Sequence, residues 1–339
     1  SGILLLLGGC LTVGPDYEAP EIETPDAWQQ AATAGLKDGP SNIDRWWDRF
    51  DDPVLDDLIA RARTDNLDLR TAALRLEEAM ALRGVVASQY YGSVDADGAA
   101  LATQVSENAT VIPPGADSQV DYYTLGASAA WEADLWGRIR RSVEAADASL
   151  DATLEDYRDV LVFTQAQVAS LYIELRTVQK QIKLTQNNVD LQNSTLKLTR
   201  DRFDAGLTPD LDVRRAELNL ARTESSLPTL FADHARVLNA LTVLVGETPG
   251  ALDSVVGMRP IIPSTEAPVY SGVPADVLRQ RPDIRSAERR FAAQNARIGV
   301  AASDYYPRFL LVGDLRVEST DYDNLFSGNS VGYSFGPQI

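Results

Sequence analysis

The chain has 339 residues, 45% of them hydrophobic and 24% charged, a balance that supports a folded body and excludes bulk disorder. A formal net charge of −18 excludes nucleic acid as a partner, because phosphate binding needs a basic face, and it argues against electrostatic docking on anionic lipid. One Cys and one His exclude an intrachain disulfide and an ordinary His/Cys zinc site, so no metal and no cofactor is expected.

Residues 1–10 read as the remnant of a signal peptide. Ile3 to Leu7 is an apolar run too short to cross a bilayer, which takes about 20 residues. There is no Met and no basic leader before it, so the true start is expected to lie upstream. Leu7-Gly8-Gly9-Cys10 resembles a bacterial lipobox, which implies a covalent lipid on Cys10, and Leu11 after it favours the outer membrane. Residues 11–53 follow as an extended strap, with Pro15, Pro20, Pro25 and Pro40 and few core-forming side chains. Near its end Trp46, Trp47 and Phe50 are expected to pack around the first helix.

Residues 54–250 form a first structural repeat of helix, two strands and long helical hairpin. Residues 54–88 read as one helix, with Leu67, Leu74 and Ala81 at helical spacing. Residues 89–103 and 120–135 read as strands. In the second, Tyr123, Leu125, Ala127, Ala129 and Trp131 alternate with small or polar residues, a pattern that suits a barrel wall or a soluble hairpin. The intervening ENATVIPPGADSQ has the composition of an exposed loop. Trp131, Trp136 and Gly137 mark the passage from strand to helix, where aromatics suit either a membrane interface or a local core cluster.

From Arg138 to Ala205 there is no Gly and no Pro. One helix of that length would run about 100 Å at 1.5 Å per residue. Leu161, Val168, Leu175, Ile182, Val189, Leu196 and Phe203 recur every seventh position, which implies a left-handed supercoil. Gly206-Leu207-Thr208-Pro209 ends the run, and a return helix is expected over about 210–245, kinked or split by Pro228. Asp210 and Asp212 open that helix as N-terminal caps, as tip residues, or as both. His234 sits in the helical run FADHARVLNAL with no nucleophile motif near it, so it reads as a helix-surface residue rather than a catalytic one.

After a Pro- and Gly-bearing linker at 251–276, residues 277–339 repeat the opening of the first unit. Residues 68–91 fall on 283–306 without a gap, so that Asp68, Arg70, Gly84, Tyr90 and Tyr91 meet Asp283, Arg285, Gly299, Tyr305 and Tyr306. Tyr123-Thr124-Leu125-Gly126 likewise meets Tyr333-Ser334-Phe335-Gly336. The second repeat stops within its second strand, so the intact protein is expected to continue through a second long hairpin.

The segments VGPDYEAP at 13–20, WWDRFDDPVLDDLI at 46–59, WEADLWGRIR at 131–140, RFDAGL at 202–207, NALTVLVGETPG at 239–250 and SGVPADVLRQRPDIRSAERR at 271–290 stand in a characteristic order. With NLDLRTA at 66–72, LDVRRAE at 211–217 and ARIGVAASDYYPRF at 296–309, they make the chain resemble the outer membrane factors, the TolC-like channels, and among them the NodT/OprM-like lipoprotein branch. The resemblance implies a mixed, mainly α fold: long coiled-coil hairpins forming a periplasmic tunnel, and strands contributed to a trimeric 12-stranded outer-membrane barrel. It implies no enzyme activity but a passive exit duct of a tripartite efflux pump. The partners would be two further copies, outer-membrane lipid, a periplasmic adaptor (membrane fusion) protein and an inner-membrane pump of the RND type. It also implies that the hairpin tip, here Gly206, Leu207, Thr208, Asp210, Leu211, Asp212 and Val213, meets the adaptor, with Gly206 and Leu207 packing against it and Asp212 near the constriction. The alternative is a lipid-anchored periplasmic coiled-coil protein, structural or adaptor, which explains Cys10 and the heptads but not the repeated strand pairs.

Overall fold

A computed structural model describes residues 12–21, 37–38, 45–104, 106, 119–265, 270–271 and 274–339. In chain order the elements are β1 (Lys37–Asp38), a 3-10 turn at Trp46–Phe50, α1 (Pro53–Asp65), α2 (Leu67–Ala87) and a 3-10 turn at Ser88–Tyr91. Then come β2 (Ser93–Gln104), β3 (Gln119–Ala133), α3 (Arg138–Asp204), α4 (Asp210–Leu244) and α5 (Asp253–Val256). The chain continues with β4 (Tyr270–Ser271), α6 (Pro274–Gln280), α7 (Pro282–Ser303), β5 (Phe309–Ser319) and β6 (Val331–Gln338). The order α2–β2–β3 recurs as α7–β5–β6. The loop over 107–118, residues 1–10 and most of the strap lie outside the described residues.

The described residues divide into two compact units that cut across the sequence repeats. One holds the described part of Ser1–Pro20 with Glu77–Thr153 and Ser286–Ile339; the other holds that of Glu21–Leu76 and Leu154–Arg285.

The first unit carries an antiparallel sheet of order β2-β3-β5-β6. Its strap is held tightly. The Val13 N–H donates to the Trp136 carbonyl, and the buried Arg141 guanidinium donates to the carbonyls of Val13 and Gly14 and to Asp16 Oδ1. Gly14 has φ +91°, and a Cβ there would stand 2.4 Å from Gly299 Cα, so only glycine lets the strap pass this close.

The second unit holds an apolar core of Leu55, Leu58, Ile59 and Ala62 from α1, Val168, Ala169, Tyr172 and Leu175 from α3, and Val237 and Leu241 from α4. Trp47 is buried in it, with Trp46 and Phe50 packed against its edge. The heptad stripe of α3 is buried at Val168, Leu175, Ile182 and Leu196, half-buried at Leu161 and Val189, and open at Phe203.

Three expectations change. Residues 54–88 are two helices, not one. Asn66 stands between them in extended conformation, its Oδ1 accepting the Leu69 N–H at 2.9 Å while its Nδ2 donates to the Leu244 carbonyl at 2.8 Å. A buried side chain that caps one helix and covers a carbonyl at the end of another outweighs helical continuity. Within α2 the buried residues are Leu69 and Ala72, while Leu67 and Leu74 are exposed; periodicity alone does not say which stripe finds a cover. Finally, of the kink or split expected at Pro228 the split does not occur, because α4 runs as one helix through it. Pro228 and Glu224, whose carbonyl loses its helical donor, are both exposed, so water can serve that carbonyl.

Candidate functional site

The sheet presents two chemically opposite faces, fixed by its register because directly paired residues share a face. One face carries Val94, Ala96 and Gly98 from β2 and Tyr123, Leu125, Ala127, Ala129, Trp131 and Ala133 from β3. It continues with Phe309, Leu311, Gly313, Leu315 and Val317 from β5 and Val331, Tyr333, Phe335 and Pro337 from β6. Between the Tyr123 and Ala133 rows this face holds no charged side chain. It is nevertheless exposed: Tyr333 is 83% accessible, Val94 79% and Phe335 75%. The opposite face carries Asp95, Asp97, Thr124, Ser128, Asp314, Arg316, Glu318 and Ser334. An uncovered sheet with an apolar and a polar face suits a wall between lipid and water. No described helix is long and apolar enough to cross a membrane.

At the base of the sheet lie the three predicted junction residues. Trp131 is on the apolar face and its indole N–H donates to the Tyr90 carbonyl at 2.9 Å. Trp136 stacks on Tyr306 with centroids 4.7 Å apart and donates to the Pro307 carbonyl. Gly137 has φ +82°, and a Cβ on it would meet Thr12 Cγ2 at 2.7 Å. Beside them Arg138 grips Glu132 through two hydrogen bonds of 2.8 and 2.7 Å, joined by Arg308 at 3.0 Å. The Asp134 carboxylate accepts the backbone N–H groups of Ile139 and Arg140, capping α3.

The hairpin tip is built by the end of α3 and the start of α4. Gly206 ends α3 at φ +74°, with the Leu207 N–H bonded back to the Arg202 carbonyl in the closing pattern of a helix C-terminus. Pro209 takes the N-cap position of α4. Leu207 projects at 75% exposure and Leu211 is also exposed, whereas Val213 is buried and Asp212 half-buried. Asp210 pairs with Arg214 at 3.5 Å, and neither Asp210 nor Asp212 caps α4 through its side chain; both lie in its first turn, where the helix dipole favours negative charge. The fork of Arg200 and Arg214 holds Glu217 below the usual carboxylate range. Thr208 and Asp212 line a groove of 560 Å³ with Gln192, Arg202, Arg215 and Arg222; the Thr208 hydroxyl and Gln192 Oε1 in it lack hydrogen-bond partners.

The periodicity misses a buried polar knot in the second unit. Arg176 is wholly buried, one position after the heptad residue Leu175. It donates to Gln179 Oε1, to the carbonyls of Val256, Gly257 and Arg259, and to the Tyr172 hydroxyl. Tyr172 donates onward to Asp52 at 2.7 Å, and burial together with that bond pushes its hydroxyl up to about 12. Gln179 Nε2 donates to the Gly257 carbonyl and lies 3.2 Å from His234 Nε2. The ring therefore accepts at that nitrogen, and burial lowers its basicity. An arginine beside an apolar stripe was the available signal. The knot fastens residues 256–259 to α3, and among the described residues no cluster of metal-ligating side chains occurs.

Comparison with known proteins follows the same lines. The family model described as "Outer membrane efflux protein" matches residues 58–247 and 273–339. The solvent efflux pump outer membrane protein SrpC of Pseudomonas putida is 33% identical over 344 residues, spanning 99% of this chain and 71% of that protein. Nodulation protein T of Rhizobium leguminosarum bv. trifolii is 30% identical over 340 residues, spanning 99% and 70%. The solved outer-membrane channel OprN superposes with a TM-score of 0.83 at 35% identity, over 96% of this chain and 72% of that one. With a two-faced sheet, long helices and a match on both repeats, the chain belongs to the outer membrane efflux protein family.

Proposed function

We propose that this protein is the exit duct of a tripartite efflux pump, working as a homotrimer. The observation that carries the reading is the four-stranded sheet, apolar on one exposed face and polar on the other, with β2 and β6 each paired on one side only among the described residues. In lipid an open strand edge leaves backbone groups without partners, so such a sheet needs neighbouring copies to close it. Three copies would close a ring with the apolar face toward lipid and the polar face toward a water-filled lumen.

In this reading the protein does no covalent chemistry. It offers a low-barrier aqueous path to small molecules, while an inner-membrane pump of the RND type supplies energy and a periplasmic adaptor joins the two. The adaptor meets the hairpin tip through the exposed Gly206-Leu207 turn and Leu211, with Asp212 near the constriction. A lipid on Cys10, which lies outside the described residues, tethers the strap to the outer membrane. Trp131 and Trp136 mark the lower membrane boundary.

The test is extraction from the outer membrane, followed by gel migration with and without heating and by conductance in planar bilayers. A heat-sensitive trimer that conducts supports the duct. A monomeric rod that never inserts would sink it and favour a tethered coiled-coil protein.

A further inference from the structure

The hairpin tip carries two sets of arginines. Arg200 and Arg214 are committed: both bond to Glu217, and Arg214 also pairs with Asp210. Arg202, Arg215 and Arg222 are not. Among the described residues none of these three side chains makes an ion pair or a hydrogen bond, and all three line the groove of 560 Å³ between α3 and α4. In a chain with 49 acidic residues against 31 basic ones, that is a local reversal of charge. Asp212 is the one carboxylate among the lining residues, so three cations stand against one anion in the groove.

The groove follows from sequence spacing. Gln192, Thr195, Thr199 and Arg202 step along α3 by three, four and three residues, and Asp212, Arg215, Asn219 and Arg222 do the same along α4. Each set is one stripe of its helix, about 15 Å long at 1.5 Å per residue. In a coiled coil that spacing ordinarily carries apolar side chains. Here it is polar throughout, while Leu196 and Val213, each one position after a stripe residue, are buried. Two polar atoms in the groove are shut off from water without a partner, the Thr208 hydroxyl and Gln192 Oε1. The hydroxyl can donate, and turning the Gln192 amide over presents its N–H groups instead, so both can serve an acceptor. What satisfies such a groove is a ligand with negative charge and several acceptor oxygens.

We infer that this groove binds a free, doubly charged oxyanion of the phosphate class, with Arg202, Arg215 and Arg222 as the residues that hold it. A guanidinium presents paired N–H donors in a fixed fork that matches two oxygens at once, and it stays charged at any physiological pH. Because the lining residues come from both helices, the bound anion ties α3 to α4 and stiffens the hairpin near its turn. The inference stands apart from the duct reading, since every residue in it belongs to one hairpin of one chain.

The test is hydrogen exchange over residues 192–223 of the purified protein, above neutral pH, in sodium phosphate and in sodium chloride at equal ionic strength. Phosphate should slow exchange there and leave the sheet unchanged; for a Kd of about 10 mM, about 20 mM phosphate slows it about threefold, by the factor 1 + [L]/Kd. R202Q/R215Q/R222Q should abolish the slowing. D212N, which removes the opposing carboxylate, should strengthen it, and two variants moving the effect in opposite directions cannot both report damage to the fold. R214Q, on the same turns but outside the groove, should leave it as it is. Equal exchange in the two salts, or slowing that survives the triple variant, overturns the inference. Loss of the effect in R214Q as complete as in the triple variant also overturns it, because the response would then belong to the general charge of the tip. So does slowing by acetate as strong as by phosphate, because the single carboxylate of a partner chain would then fit as well as a free dianion.

Discussion

At the scale of single residues, His234 shows how one neighbour decides a protonation state. It accepts from the Gln179 amide, whose oxygen is in turn held by Arg176 and the Arg259 N–H. From α3 the ring therefore faces Gln179 with Arg176 behind it, and from the segment after α4 it faces Asp253, with Arg259 bound to the same amide. Burial lowers its basicity more than Asp253 restores it. The folded protein then binds fewer protons at this site than the unfolded chain, whose histidine titrates near 6.5. Stability contributed here is complete above the unfolded value and declines as pH falls below it. Denaturant midpoints measured across pH 5 to 8 should show that decline, and His234→Gln, which has no titration, should flatten it. An equal slope in both proteins would show that the ring is not buried as described.

The elements show where reading by pattern succeeds and where it stops. Pro228 lies in the middle of α4, yet the helix continues. An interior proline costs a helix about 3 kcal/mol relative to alanine. Since Pro228 is exposed and packs no core, Pro228→Ala should stabilise the protein by up to that amount, read as a higher denaturant midpoint; a lower midpoint would mean that the helix needs a bend there. The end of α3 at Gly206 and the start of α4 after Pro209 follow directly from residue type, because glycine tolerates φ +74° and proline fits a helix start. The break at Asn66 does not, because it depends on a carbonyl at Leu244, distant in the chain, that no local pattern reveals. The same limit applies to the sheet. Alternation in β3 marks Tyr123 to Trp131 as one face, but only the pairing of β3 with β5 brings Leu315 beside Ala127 and Asp314 beside Ser128. Those two faces can be told apart by substitution. Leu315→Arg, mid-strand on the apolar face, should cost about 2–4 kcal/mol of insertion free energy and deplete the trimer from outer membranes. Thr124→Lys, on the polar face, should leave membrane trimer unchanged. Equal depletion by both would mean that neither face meets lipid.

For the whole molecule the open question is what the hairpin tip does that the sheet does not. A soluble helical hairpin has reason to cover an apolar residue at its turn, yet Leu207 stands 75% exposed and Leu211 56% exposed beside it. Val213, a few residues on, is buried at 7%, so the apolar character of this segment serves two different ends. Val213 is covered within the chain itself; exposure of Leu207 leaves a small apolar knob with a glycine on one side and a hydroxyl on the other. Such a knob contributes nothing to the folding of one chain, and covering a leucine side chain is worth about 1.5–3 kcal/mol to whatever partner covers it. Leu207→Glu should therefore leave folding, trimer migration and bilayer conductance as they are, while cells carrying it lose resistance to exported compounds nearly as fully as a deletion strain. Val213→Glu should instead lower the amount of folded trimer, since it places a charge at a buried position. Should Leu207→Glu cells keep full resistance with trimer at normal levels, the tip is not where the adaptor makes its contact, and the groove lined by Arg202, Arg215 and Arg222 becomes the surface to substitute next.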